Sequence, residues 1–246
     1  MTTKHLLYLS TVAIFISCGR NNNPQQVQPN GKSDSAAVLN DPKNHLNIQM
    51  NEFSEVDSSG VLMFPLSMGE TEAEDSGLSY KRISDNTYWN IAFYNSVTKS
   101  YHLLTERKIL IGSYSQNYGS DGKNSISTDK KPIFYMVRTD DFNKDNKLTE
   151  EDPQYLFISD RFGNNFKQIS PANYNVNNWE FVKRSNKVIM TVSKDSDGNA
   201  MFDKTDEITT FEFTLDKDSV PQEIFPESFK NKLKILFDKD WKRLKK

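Results

Sequence analysis

The chain has 246 residues, 31 Lys+Arg against 33 Asp+Glu, 36% hydrophobic residues and one cysteine. That length suits one moderate domain with extensions. The near-neutral charge argues against general nucleic-acid binding, which rests on a clear basic excess, and a lone cysteine excludes an intramolecular disulfide.

The first residues, Met-Thr-Thr-Lys-His, make a short basic start, and residues 6–16 (LLYLSTVAIFI) are an apolar run of eleven. A membrane-spanning helix needs about 20. A basic start, a short apolar stretch and small residues at its end are the marks of a secretory signal, here residues 1–17. Residues 19–32 (GRNNNPQQVQPNGK) hold one aliphatic residue and cannot bury anything, so Cys18 is not a thiol at the end of a core helix. Ser17-Cys18-Gly19 resembles the lipobox of bacterial lipoproteins, with Phe15 where that motif usually has Leu. The resemblance implies acylation of Cys18 by palmitate-type chains and anchoring to a bacterial membrane, the outer one rather than the inner. It also implies an extracytoplasmic place in the cell envelope. The other reading is a plain secretory signal. Residues 18–45, rich in Asn, Gln, Pro and Ser, form the lipidated cysteine and a disordered tether.

Residues 46–225 are β-rich. Runs at 61–66, 88–94, 100–104, 108–113, 132–138, 155–160, 179–182, 187–192 and 208–215 are short, rich in β-branched and aromatic types, and separated by turn signals. Residues 46–60 are ambiguous; 69–77 and 116–130 read as polar loops. In residues 226–246 apolar side chains fall at Phe229, Leu233, Leu236, Phe237, Trp241 and Leu244, one face of an amphipathic C-terminal helix. Eight basic and three acidic residues accompany them. The expected placement is as a cap on the β domain with solvated charges; the alternative is a helix for a membrane surface or a partner.

Two segments match at a spacing of 54 residues. The first places Asp141, Asn143, Asp145, Thr149 and Asp152 at positions 1, 3, 5, 9 and 12. The second places Asp195, Asp197, Asn199, Asp203 and Asp206 at the same positions. Position 8 is apolar in both, Leu148 and Phe202, and is expected to pack each loop onto the core. Both segments resemble the calcium loop of EF-hands. Calcium takes six to eight oxygen ligands at about 2.3–2.6 Å, and short oxygen-bearing side chains at alternate positions of a tight loop can converge on one point. The resemblance adds the position 7 carbonyls, those of Lys147 and Met201, to the ligand set. Position 6, usually Gly, is Asn146 in one loop and Ala200 in the other; position 12 is Asp rather than Glu. The first loop carries Lys144 and Lys147, so the second is expected to bind Ca2+ more tightly. Apolar strand-like runs flank both loops. Each unit therefore reads as strand, metal loop, strand, without the helices of an EF-hand.

Residues 155–171 (YLFISDRFGNNFKQISP), then Trp179 with its neighbours, resemble the strand–Asp–Gly–strand unit of TolB-like β-propeller blades. The likeness is clearest over roughly 131–215 and implies about two blades, whereas propellers typically have about four to eight. The expected fold class is mainly β: antiparallel hairpin repeats, propeller-like or sandwich-like, ending in the amphipathic helix.

Catalytic motifs are not evident. His5 lies in the signal, His45 at the tether's end and His102 in a strand. Phosphate-loop, nucleophile-elbow and His-Glu-x-x-His patterns do not occur. The reading is a non-enzymatic, calcium-stabilised binding or structural protein of the envelope. Its partner, an envelope protein or a glycan, is not identified by the sequence. The alternative is a carbohydrate-binding module or glycoside-active enzyme using aromatics such as Trp89, Tyr114 or Tyr118.

Overall fold

The computed structural model describes residues 35–40, 48–67, 87–115, 132–215 and 219–241. The expected signal, Cys18, His45, Tyr118 and the two polar loops at 69–77 and 116–130 lie outside the described residues. Two compact units are present, Met1–Asn40 and Asp41–Lys246. In the first, Ser35–Asn40 forms a six-residue helix, α1, within the stretch expected as tether. Ala36, Ala37 and Leu39 are good helix formers, which accounts for it.

The second unit is mainly β and antiparallel. Its strands are β1 (Gln49–Met50), β2 (Ser54–Val56), β3 (Val61–Ser67), β4 (Tyr88–Asn95), β5 (Ser100–Leu103), β6 (Leu110–Ser115), β7 (Ile133–Arg138), β8 (Tyr155–Ser159) and β9 (Lys167–Gln168) in one sheet, and β10 (Tyr174–Val182), β11 (Lys187–Lys194), β12 (Glu207–Thr214) and β13 (Gln222–Glu223) in another. The spine of the first sheet runs β1-β3-β4-β6-β7-β8-β9. The second runs β10-β11-β12-β13, each strand beside its predecessor.

Pro65 lies inside β3 rather than at its end, and the local sequence explains how. Its carbonyl accepts a bond from Asn51 N, so its missing N–H points the same way, toward the break between β1 and β2. A proline has no donor for a ladder; the break falls where no donor is needed. On its other side β3 pairs continuously along β4, from Val61 opposite Asn95 to Leu66 opposite Asn90. The far edge of β4 is shared. β5 pairs with Ala92–Asn95 and β6 meets it at Tyr88.

Side-chain alternation divides the core in two. On one face of the first sheet Met63, Ile91, Phe93, Ile111, Ile133, Tyr135, Val137, Tyr155 and Phe157 bury one another. The alternate residues of β7 and β8, Phe134, Met136, Leu156 and Ile158, point the other way. They pack on Val176, Val188, Met190, Val192 and Phe213 of the second sheet. Thus β7 and β8 are buried on both faces, which is why they read as unbroken apolar runs. Gly163 sits in the turn after β8, with φ of 80°; a Cβ there would lie 2.5 Å from the Phe93 ring. Asp160 closes that turn by accepting from Phe162 N and Asn164 N.

Glu227–Trp241 forms α2. The expected cap over the β domain is corrected by its exposure: none of its residues is buried. The apolar stripe exists, but the described part of the domain leaves no groove filled by it.

Candidate metal centre

Both repeated segments connect neighbouring antiparallel strands. Residues 141–152 join β7 to β8, and residues 195–206 join β11 to β12. The two loops share most of the hydrogen bonds that shape them. The position 1 carboxylate receives the amides of positions 5 and 6: Asp141 accepts from Asp145 N and Asn146 N, and Asp195 accepts from Asn199 N and Ala200 N and also from Gly198 N. Position 3 accepts from position 5, with Asn143 Oδ1 taking Asp145 N and Asp197 Oδ1 taking Asn199 N. Position 5 accepts from position 7, with Asp145 taking Lys147 N and Asn199 taking Met201 N. Position 9 accepts from position 11: Thr149 Oγ1 takes Glu151 N and Asp203 Oδ1 takes Thr205 N.

Such a loop must turn sharply, and the backbone does so at positions 4 and 6. Lys144 and Asn146 have φ of 60° and 66°; Gly198 and Ala200 have φ of 74° and 60°. Gly198, two residues before position 6, sits at a second left-handed position where glycine costs nothing. Ala200 carries the strain, on the order of 1–2 kcal/mol for a non-glycine residue.

Position 12 has a role the repeat alone does not reveal. Asp152 is 2% exposed and Asp206 8%. Asp152 Oδ1 accepts from Phe142 N and Oδ2 from Thr149 N, both at 2.8 Å. Asp206 does the same with Ser196 N at 2.7 Å and Asp203 N at 3.0 Å. Each carboxylate thus ties the start of its loop to position 9. Arg138 closes the first loop further, donating from Nε to the Asp152 carbonyl at 3.1 Å. A carboxylate offers about four lone-pair sites, so these bonds leave room for a cation.

The loops differ in how far their acids converge. Carboxylate oxygens of Asp195, Asp197 and Asp206 lie within 4.8 Å of one another. Among the described residues no such group forms from Asp141, Asp145 and Asp152. Asp203 stands beside the triad. Hydrogen bonds from the amide and hydroxyl of Thr205 hold its carboxyl below the usual carboxylate range, so it stays ionised. Three hard, anionic oxygens around one point suit a divalent cation such as calcium. Lys147 ends in an ammonium with no lone pair and Met201 in a soft thioether, so only their carbonyls are candidate calcium ligands.

One contact crosses between the loops. The rings of Phe142 and Phe202 lie 5.2 Å apart. The position 8 phenylalanine was expected to pack on its own core; it packs on the other loop instead. Phe142 and Arg138 escaped the sequence reading, because their partners are distant in sequence and no spacing signals them.

No protein-family model matches the sequence, and no curated protein matches it. The remaining candidate residues are placed as follows. Tyr114 is half-buried against the first core and the Tyr88 ring, and Trp89 Nε1 is buried without a partner. His102 stacks on Phe93 with ring centroids 5.3 Å apart. It borders a surface cavity of about 340 Å³, together with Asn95, Ser100, Phe162 and Asn164. Among the described residues no carboxylate lines that cavity.

Proposed function

We propose that this protein is a membrane-anchored extracytoplasmic lipoprotein whose β domain is stabilised by calcium at residues 141–152 and 195–206, and that it serves the envelope as a binding or structural component rather than a catalyst. The observation that carries the calcium reading is the shared loop geometry, with Asp195, Asp197 and Asp206 gathered within 4.8 Å. The spacing of ligand-type residues is the same in two segments on different sheets, and so are the backbone amides accepted by positions 3, 5, 9 and 12. Extracytoplasmic calcium is abundant enough to fill weak sites. A cation held in a hairpin tip would fix the two strands that carry it. The lipid attachment rests on the lipobox-like Ser17-Cys18-Gly19. For the architecture, the core between the two sheets supports a sandwich-like arrangement over a propeller, since the first sheet is not divided into four-stranded blades.

The calcium reading is tested by calorimetric titration of the chain from residue 19 onward, which retains the compact unit Asp41–Lys246. Heat of binding and a rise in melting temperature are expected. Calcium at about 100 times its dissociation constant adds about 2.7 kcal/mol of stability. Changing Asp195 and Asp197 to Ala should abolish the response of the second loop. Absence of both heat and melting shift at millimolar calcium overturns the reading. Labelling with a palmitate analogue, lost on Cys18→Ser, tests the anchor separately.

A carbohydrate-active role draws less support. Tyr114 is packed against the first core, and among the described residues no carboxylate lines the cavity beside His102.

A further inference from the structure

We infer that α2 is a second membrane contact, which lies on an anionic lipid surface with Leu233, Leu236, Phe237 and Trp241 inserted and its lysines among the phosphates. This rests on the lipoprotein reading, which brings the chain to a bilayer.

The helix is pinned at one end, and its apolar stripe is exposed along the rest. Lys230 Nζ reaches Glu223 at 3.0 Å, Glu227 at 3.3 Å and Glu207 at 3.4 Å, which ties the first turn to β12 and β13. Phe225 and Phe229 stack with ring centroids 5.2 Å apart. Beyond Lys230 every described residue is exposed. Leu233 is 49% exposed, Leu236 45%, Phe237 58% and Trp241 74%. At 1.5 Å per residue this arm is about 17 Å long. Spacings of three and four residues keep the four side chains on one stripe.

Charge selects the occupant. Residues 226–246 carry eight basic and three acidic side chains, while the rest of the chain carries 23 basic and 30 acidic. The tail and the remainder therefore have opposite sign. An anionic bilayer attracts the first and repels the second, so the tail is the part that turns toward it. Aromatic rings with flanking lysines match the layered chemistry of that surface. The rings sit at the acyl boundary and the lysine stems reach back to the headgroups. Two tails of like sign, by contrast, repel one another. Asp240 interrupts the stripe, four residues after Leu236 and three after Phe237. It weakens insertion without reversing the charge.

The test uses the chain from residue 19 onward, unacylated, with vesicles of phosphatidylcholine alone and vesicles containing phosphatidylglycerol. The wild type should sediment with the anionic vesicles and be released by salt, because surface attraction is screened. Its tryptophan emission should shift to the blue on binding. Leu233→Glu with Phe237→Glu should weaken binding at least about tenfold, since both side chains belong to the buried face of an interfacial helix. The melting temperature should not change, because both residues are exposed. Asp240→Asn should strengthen binding. Failure of the wild type to bind anionic vesicles, or equal binding by the double glutamate variant, overturns the proposal. A concentration-dependent dimer lost in that variant overturns it in favour of a second copy as occupant. Palmitate labelling at Cys18 reads the anchor independently of each of these results.

Discussion

Replacing Asp152 with alanine isolates the mechanical role of position 12 from any role in binding a cation. The side chain is 2% exposed, and its two oxygens receive Phe142 N and Thr149 N at 2.8 Å each. Alanine keeps the backbone bonds of residue 152, including that from Asp152 N to the Thr149 carbonyl at 3.2 Å. It removes only the carboxylate. Two amides then lose a charged acceptor. Phe142 and Thr149 are half-buried, so water replaces part of what is lost. About 1–2 kcal/mol per bond, or about 2–4 kcal/mol in total, is the expected cost. For a domain of this size each kcal/mol moves the melting temperature by about 2–4 °C, so the fall should be about 5–15 °C. Asp152→Asn keeps one acceptor and turns an NH2 toward the other amide. It should lose about half as much. The measurement is thermal and urea unfolding followed by circular dichroism, with chelator present throughout. Asp206→Ala should behave alike, since its carboxylate makes the matching pair of bonds. If Asp152→Ala lies within about 0.5 kcal/mol of wild type, as ordinary surface changes do, the carboxylate does not hold the loop closed.

The Phe142–Phe202 contact should couple the loops. A double-mutant cycle with Phe142→Ala and Phe202→Ala is expected to give about 0.5–1.5 kcal/mol of interaction, and strict additivity would mean that the loops are independent. Gly163→Ala combines a strained left-handed backbone with a Cβ 2.5 Å from the Phe93 ring. It should cost about 2–4 kcal/mol in urea melts. Adding Phe93→Leu should recover the steric part and leave the backbone part. Alkaline pH should unfold the domain early. Burial raises the phenol of Tyr135 far above its ordinary value of 10.0 and that of Tyr155 to about 12. The unfolded chain ionises these groups near pH 10 and the folded chain does not, so unfolding releases protons there. Stability from these groups is intact below pH 10 and falls as pH rises toward 12. Denaturant melts from pH 8 upward check this, and Tyr135→Phe with Tyr155→Phe should flatten the decline. Unchanged stability in the wild type across that range would refute it.

The longer strands were legible in the sequence because each is decided locally, whereas β1, β2, β9 and β13, two or three residues each, were not. Alternation along residues 187–192 and the unbroken apolar runs at 133–137 and 155–158 report how many faces each strand buries. The metal-type loops were legible for the same reason. The bonds their carboxylates accept from backbone amides span at most ten residues, so the spacing of Asp141, Asp152, Asp195 and Asp206 already contains them. The left-handed positions were only half legible: Gly198 marks one of them, whereas Lys144 and Ala200 adopt theirs with no residue-type signal.

Other features depend on which edges and faces meet. Nothing local says that β5 and β6 share one edge of β4, or that β7 and β8 join the first sheet while β10–β13 form the second. Nothing local pairs Phe142 with Phe202, since their loops belong to different sheets. The terminal helix makes the point most sharply. Its apolar stripe follows from the period of residues 229–241, but whether a stripe is covered depends on the shape of the surface opposite it. Here Lys230 holds the first turn against Glu207 and Glu223, and the stripe beyond it stays exposed. Periodicity determines that a face exists; only the packing of distant segments decides what, if anything, lies against it.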